Sequence, residues 1–254
     1  MFKIDLTESF PLLSRAPIVE AVIGVTARAE AAWDESAISE QFKQCLPEYP
    51  DVQSHRETRL EFKLAADAQS EQTAHDMGWR GLRCESADKL HIAQFNRDGF
   101  SFSRLKPYQS WGQFSQEGMR LLGLYREVAR PSDIHRLGLR FINRVEFSQG
   151  EAKLEDFLEN PPKAPRGMAI PLEGFLHHNT LSVPGQPYGI NVVQTVQPAQ
   201  GGDASWGVIL DIDVFTTEPI VNLNSIESHL TKMRWLKNKV FFGSVTAQTL
   251  EVFK

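Results

Sequence analysis

The chain has 254 residues and a formal net charge of −5, with 41 % hydrophobic and 23 % charged residues. These values are ordinary for globular proteins and exclude the disordered and fibrous classes. The length suffices for one large domain or two smaller ones. The acidic balance argues against a protein that coats nucleic acid by neutralising phosphates, although it allows a local basic groove.

The cysteines and the N-terminus bear on the compartment. Cys45 and Cys84 are the two cysteines, and they lack the CxxC spacing of a zinc site, so we expect reduced thiols. The N-terminus has early acidic residues and no uninterrupted apolar region, unlike a signal peptide. No window approaches the roughly 18 consecutive apolar residues of a membrane span. We therefore expect a cytoplasmic protein.

Residues 1–131 predict five strands and two helices. β-branched and alternating patterns favour strands at residues 17–28, 59–64, 79–84, 90–95 and 100–105. Asp34 and Ser110 are expected to cap the two helices, the second of which ends at Pro131. The polar run at 67–78 predicts a loop. Asp98-Gly99 predicts a tight hairpin, because this pair supplies positive φ angles.

Residues 132–254 predict a similar series. Strands are expected at residues 134–147, 169–183, 188–197 and 206–217, with a short helix at 154–158 and a proline-rich loop at 161–167. Asn224, with Glu227 three residues later, has the spacing of a capping box that opens a long helix. Thr246 is expected to cap a last short helix.

The order of these elements predicts an α+β fold with antiparallel sheets and long packed helices. Residues 17–129 read β-α-β-β-β-β-α and residues 134–242 read β-α-β-β-β-α, which suggests two similar halves, 1–131 and 132–254. In such halves, 17–28 and 134–147 are equivalent first strands. The order resembles the duplicated saddle of the TATA-binding protein. A single continuous sheet that embraces the C-terminal helix is the alternative.

Residues 134–147, IHRLGLRFINRVEF, form the most informative strand. Strand side chains alternate, so Arg136, Arg140 and Arg144 share one face at spacings of about 13 Å. Guanidinium groups so placed can each bind a phosphate or carboxylate. The alternative is a solvated face whose arginines pair with carboxylates such as those of Glu20, Glu61 and Glu146.

Asn143 interrupts the apolar face of the same strand. A buried amide without partners costs about 1–3 kcal/mol. We therefore expect Asn143 either to anchor a bulge or loop, which we favour, or to bind a ligand.

Two further groups offer weaker metal-binding hypotheses. His177 and His178 are adjacent in a strand, so they point to opposite faces and cannot both bind one ion without a bulge. Asp211 and Asp213 share a strand face and could hold Mg²⁺ with phosphate. An exposed polar face that alternates with apolar residues explains the same two aspartates more simply.

Several motifs resemble those of a sporadically distributed family of uncharacterised bacterial proteins. They are APIVEAV at 16–22, YQSW at 108–111 with Phe114, RLGLRFIN at 136–143 and the segment 154–158. The match spans most of the chain. The resemblance implies a stand-alone cytosolic protein, and it brings no activity, cofactor or catalytic residue.

The sequence contains no nucleophile elbow, P-loop, HExxH or dinucleotide-binding motif, which lowers the odds of an enzyme without excluding one. We expect a non-catalytic binding or interaction protein without a cofactor, antitoxin-like or defence-linked. A protein partner or anionic ligand would bind the arginine face or a groove between the halves. The alternatives are a nucleic-acid-binding saddle and a metal-dependent hydrolase that uses Asp211 and Asp213.

Overall fold

The computed structural model describes residues 2–63, 71–148, 153–163, 165–167, 174–197 and 205–254. Its strands are β1 (Ile18–Thr26), β2 (Asp51–Lys63), β3 (Glu71–Glu85), β4 (His91–Asn96), β5 (Gly99–Leu105), β6 (Arg136–Ser148), β7 (Leu176–Ser182), β8 (Tyr188–Gln197) and β9 (Ser205–Thr216). Its helices are α1 (Glu35–Cys45), α2 (Trp111–Ala129), α3 (Leu154–Phe157), α4 (Ile226–Ser244) and α5 (Ala247–Phe253), with a 3-10 turn at Leu223–Ser225.

All nine of these strands form one antiparallel sheet, in the order β2-β3-β4-β5-β1-β6-β9-β8-β7. The expected α+β class is confirmed, and the sheet is continuous. β1 and β6, the two expected first strands, lie side by side in its middle, with Gly24 opposite Gly138 and Ile23 opposite Leu139. The predicted arginine strand is therefore a central strand.

One face of the central strands is buried. Ile23 of β1 and Leu139 of β6 are fully buried, and Phe141 is 1 % exposed. α2 packs closely over β1, because a Cβ built on its Gly118 would lie 2.6 Å from Cδ1 of Ile23. The intervening side chains of the same strands, such as that of Arg140, face the other side, and those that the structure describes are exposed or partly exposed. The striped sequence of residues 134–147 thus separates a core face from an open face.

Three of the expected helix caps are present. Asp34 accepts a hydrogen bond from the Ala37 N–H at 2.9 Å, Ser110 one from Gln113 at 3.3 Å, and Thr246 one from Thr249 at 3.1 Å. The expectation for Asn224 was wrong. Asn222 accepts from the Asn224 N–H at 3.1 Å and begins the 3-10 turn that precedes α4. The two asparagines carry the same capping chemistry, so the sequence does not choose between them.

The hairpin of β2 and β3 is longer than the sequence predicted. Residues 71–78, expected as part of a loop, belong to β3, and β2 begins at Asp51 instead of residue 59. The rest of the expected loop, 67–70, lies outside the described residues. The described side chains of β2 are mainly exposed. Residues 51–58 pair with β3 through the backbone ladder and expose most of their side chains, so hydrophobic alternation does not reveal this part of the hairpin.

The Asp98-Gly99 hairpin is present, but not by the expected mechanism. Asn96 pairs with Gly99, so Arg97 and Asp98 form the turn, and neither Asp98 nor Gly99 has a positive φ. Glycine is needed at 99 for another reason. A Cβ there would lie 2.2 Å from the carbonyl oxygen of Val25 on β1, so the residue allows two strands to approach closely.

In the C-terminal part, the described portion of the strand expected at 169–183 is β7, and residues 169–173 lie outside the described residues. α3 begins at the expected Leu154, and β8 has the expected bounds. Within the described ranges, no helix is both long enough and apolar enough to cross a bilayer.

Candidate functional site

The predicted arginine face meets a row of carboxylates on the neighbouring strand β9. Nη2 of Arg136 lies 2.6 Å from Oδ2 of Asp213. Arg140 binds Asp211 in bidentate fashion, with Nε–Oδ1 at 2.8 Å and Nη2–Oδ2 at 2.5 Å. This hydrogen bonding raises the pKa of Arg140. Two of the three arginines are thus neutralised by the two aspartates that the sequence offered as metal ligands.

Arg144 lies differently. Its side chain packs over Gly207, where a Cβ would come within 2.8 Å of the guanidinium Nε. Its Nη1 donates to Oε1 of Gln197 at 3.2 Å, and its Nε lies 3.4 Å from Oε1 of Glu146 without forming a hydrogen bond. Glu146 is therefore a partner, as the solvated-face interpretation expected.

The other partners are not those expected. Glu20 contributes only a longer-range attraction to Arg140, and the side chain of Glu61 lies outside the described residues. The register of β6 and β9 explains the difference, because Asp211 and Asp213 stand opposite Ile142 and Arg140 on the same face. Anion binding by Arg136, Arg140 and Arg144 stays a prediction, and a ligand would have to compete with these carboxylates.

The bidentate pair of Arg140 and Asp211 is expected to contribute little to stability. The Arg140 side chain is 48 % exposed, and exposed ion pairs contribute about 0.2–1 kcal/mol. A double-mutant cycle with Arg140→Ala and Asp211→Ala, followed by urea unfolding, should give a coupling energy in that range that falls at high salt. A salt-independent coupling above about 2 kcal/mol would contradict this.

Asn143 lies on the opposite, helix-covered side of the sheet and lines a cavity of about 600 Å³. It is 2 % exposed, and its Nδ2 donates to the carbonyl of Leu210 on β9 at 2.9 Å. No described residue donates to its Oδ1. Asn143 therefore ties β6 to the paired strand β9, whereas an anchor for a bulge or loop was expected, and it also presents polar surface to a cavity. The structure separates it from the three arginines.

Two basic side chains of α4, Arg234 and Lys237, also line this cavity. Within the described part of the chain, neither forms a hydrogen bond or an ion pair. Each lies instead against an aromatic ring, with Lys237 Nζ at 4.2 Å from the Phe141 centroid and Arg234 Cζ at 5.3 Å from that of Trp111. The cavity thus has two basic side chains without a matching carboxylate.

Glu8, the acidic residue of the cavity lining, is already engaged. Its Oε1 accepts from Lys239 at 2.6 Å and its Oε2 from the Trp235 indole at 3.0 Å. It therefore holds the N-terminal segment against α4 and does not neutralise Arg234 or Lys237.

Burial controls the ionisation of this cluster. It lowers the pKa of Lys237 to about 7, and the neighbouring charge of Arg234 acts in the same direction. The contact with the Phe141 ring acts in the opposite direction, because it favours the ammonium form. Burial also raises the pKa of Tyr108, another lining residue, which stays protonated at neutral pH.

The cavity has a polar and an apolar part. The first turn of α2, at Ser110, Trp111 and Gly112, lines it with the positive end of a helix of 19 residues. The apolar part is formed by the N-terminal segment and the end of α4, where Phe10 and Phe242 stack at 5.4 Å. A volume of this size is typical of small-molecule sites.

The remaining metal hypothesis gains no support from the geometry. His177 and His178 are exposed on β7, opposite Gln194 and Val193 of β8. Among the residues that the structure describes, no group of three His, Cys, Asp or Glu side chains is placed to hold a metal ion.

Arg234 and Lys237 were missed by the sequence reasoning, although a signal was present. Leu230, Met233 and Phe241 mark the buried stripe of α4, and Lys237 occupies the position between the last two. A lysine at a core-facing helical position is unusual and often functional. Asn143 is likewise a polar residue at a core-facing position, on β6. Asn143 and Lys237 each interrupt an apolar pattern, and both line the same cavity.

Comparisons with known proteins add no assignment: no family model, no curated protein and no solved structure matches this chain.

Proposed function

We propose that this protein binds a small molecule with an anionic group and an apolar body, held non-catalytically in the cavity between α2 and α4. The observation that carries the proposal is that Arg234 and Lys237 line a cavity of about 600 Å³ without any described carboxylate to neutralise them. Unpaired charges in a partly desolvated site are costly, and a bound anion would remove that cost.

The proposal gives each part of the cavity a role. Arg234 is exposed and suits the entrance, where its guanidinium would bind a carboxylate or phosphate. The first turn of α2 supplies further positive potential, and Lys237 adds to it in its protonated form. The aromatic and aliphatic side chains of the apolar part would cover the ligand body.

We further propose that the site lies between two similar halves, 1–131 and 132–254. Outward from the middle of the sheet, the order is β1-β5-β4-β3-β2 on one side and β6-β9-β8-β7 on the other. On each side the first strand pairs with the last, and the others follow in reverse chain order. α2 and α4 would then be equivalent helices, and the ligand would occupy the groove between the halves.

Binding of 4-phenylbutanoate, a simple aryl carboxylate, tests the proposed function. Trp111 and Trp235 line the cavity, so titration followed by tryptophan fluorescence should detect it. Arg234→Glu is expected to weaken binding about 10–100-fold, because a charge-assisted hydrogen bond becomes a repulsion. The uncharged amide of the same acid should bind the wild-type protein more weakly.

Arg140→Glu is the matched control, since it makes the same charge change on the opposite face of the sheet. It should leave the affinity within about twofold, because the Arg140 side chain is exposed on the open face, where solvent and salt screen its charge. Loss of affinity in Arg140→Glu but not in Arg234→Glu would move the site to the arginine face. Failure of both 4-phenylbutanoate and phenyl phosphate to bind would reject the proposal.

A further inference from the structure

We propose that Lys237 captures a carbonyl group of the anionic ligand as a reversible imine, so that the natural ligand is a 2-oxo acid or an aldehyde with an acidic group. This inference rests on the proposed function, because the cavity must first bind the anion. It adds a covalent step and a chemical class of ligand that anion binding alone does not require.

The placement of Lys237 carries the inference. Its side chain lines the cavity and occupies a core-facing position of α4, where a structural role would call for an apolar residue. It has no described hydrogen-bond acceptor and no described carboxylate partner. Its Nζ lies 4.2 Å from the centroid of the Phe141 ring, a contact that leaves the nitrogen lone pair free of hydrogen bonds once the amine is neutral.

The surroundings also favour the neutral amine. Arg234 precedes Lys237 by one turn of α4, and a neighbouring cation in an apolar pocket is one way in which proteins activate a lysine. The titratable groups of the cavity lining are Glu8, Tyr108, Arg234 and Lys237. Glu8 is bound to Lys239 and Trp235, and Tyr108 stays neutral. The lowered pKa of Lys237, about 7, agrees with this arrangement.

The step is balanced without a further reactant. The lone pair of Nζ attacks the carbonyl carbon, and the carbonyl oxygen takes a proton to give a carbinolamine. Loss of water then removes that oxygen together with both amine hydrogens and leaves a C=N bond to Lys237. Arg234 would meanwhile hold the carboxylate or phosphate of the ligand and so direct its carbonyl into the cavity. Hydrolysis reverses the capture.

Reductive trapping tests the inference. The full-length protein is incubated with 4-phenyl-2-oxobutanoate and sodium cyanoborohydride, which reduces the imine to a stable secondary amine. We expect one adduct, with the mass of the ligand less one oxygen atom, at Lys237 in peptide mapping. Lys237→Arg should lose the adduct but keep the positive charge, and so retain affinity for the 2-hydroxy analogue, which has no carbonyl.

Lys239→Arg is the matched control, because Lys239 lies on the same helix but does not line the cavity. It should be trapped like the wild-type protein.

Adducts spread over many lysines, or equal trapping in Lys237→Arg, would overturn the inference. So would equal wild-type affinity for the oxo and hydroxy acids without trapping, and the proposed function would then stand. If neither acid binds, the proposed function fails as well. Lys237→Met, which lacks the amine, serves as a second variant if Lys237→Arg does not fold.

Discussion

Replacing Phe141 with alanine is expected to lower the free energy of unfolding by about 3–5 kcal/mol. The ring is 1 % exposed at the centre of the sheet and contacts Tyr108 and Phe114 at centroid distances of 5.7 and 5.9 Å. Alanine would leave a void where α2, β6 and Lys237 of α4 meet. Urea unfolding at about pH 7 measures the loss. Phe141→Leu, which keeps most of the volume, should cost about 1–1.5 kcal/mol and remain measurable if the alanine variant does not fold.

Arg140→Ala is the matched control for Phe141→Ala, since it alters the adjacent residue on the other face of β6. It removes one exposed ion pair and should cost less than about 1 kcal/mol. Comparable losses for the two variants would contradict the assignment of a buried and an open face to this strand.

Replacing Lys237 with methionine is expected to stabilise the protein, by on the order of 3 kcal/mol at about pH 6. Burial lowers the pKa of this lysine from 10.5 to about 7, so the folded state binds its proton less tightly than the unfolded chain does. The resulting destabilisation is fully present below about pH 7. It decreases as pH rises from about 7 towards 10.5, where the unfolded chain also loses the proton. A methionine also fills the apolar surroundings well.

The measurement is the difference in free energy of unfolding between Lys237→Met and the wild-type protein as a function of pH. Taking the difference removes the effects of groups that both proteins share, such as the buried tyrosines. Asn238→Ala changes the next residue without altering a titratable group, and its difference should not depend on pH. A pH-independent stability difference for Lys237→Met would show that this lysine keeps an ordinary pKa. A stabilising variant that no longer binds 4-phenylbutanoate would show that the wild-type protein sacrifices stability for a site.

The two sides of the sheet suit different functions. On the open side, Arg136 and Arg140 are paired with Asp213 and Asp211, so the nucleic-acid saddle and the metal-dependent hydrolase both require these ion pairs to break first. On the covered side, the positive charges of Arg234 and Lys237 are unpaired in the described chain. The covered side is therefore the better candidate for binding an anion, because Arg136 and Arg140 already have carboxylate partners, whereas Arg234 and Lys237 have none among the described residues.

Local sequence patterns located the features that depend on residues close together in the chain. The caps at Asp34, Ser110 and Thr246 depend on residues three positions apart, and sequence alone located them. Strand segments without an evident alternation were not recognised. β2 and β3 extend beyond the strands that alternation predicted, by residues 51–58 and 71–78, and these extensions depend on backbone pairing that no side-chain period reports. The sequence assigned Gly99 to a turn that needs positive φ angles. The structure requires glycine there because a Cβ would clash with the carbonyl oxygen of Val25 on β1.

The amino-acid sequence by itself determined the α+β class, the two chemical faces of residues 134–147 and the irregularity of Asn143, because alternation along one strand defines which side chains share a face. Only the tertiary structure decided that Arg140 pairs with Asp211, since their contact depends on the register of β6 against β9. It also decided that Asn143 and Lys237, 94 positions apart in the chain, line one cavity. Sites of this kind depend on how a helix packs on a sheet, and no local pattern encodes that arrangement.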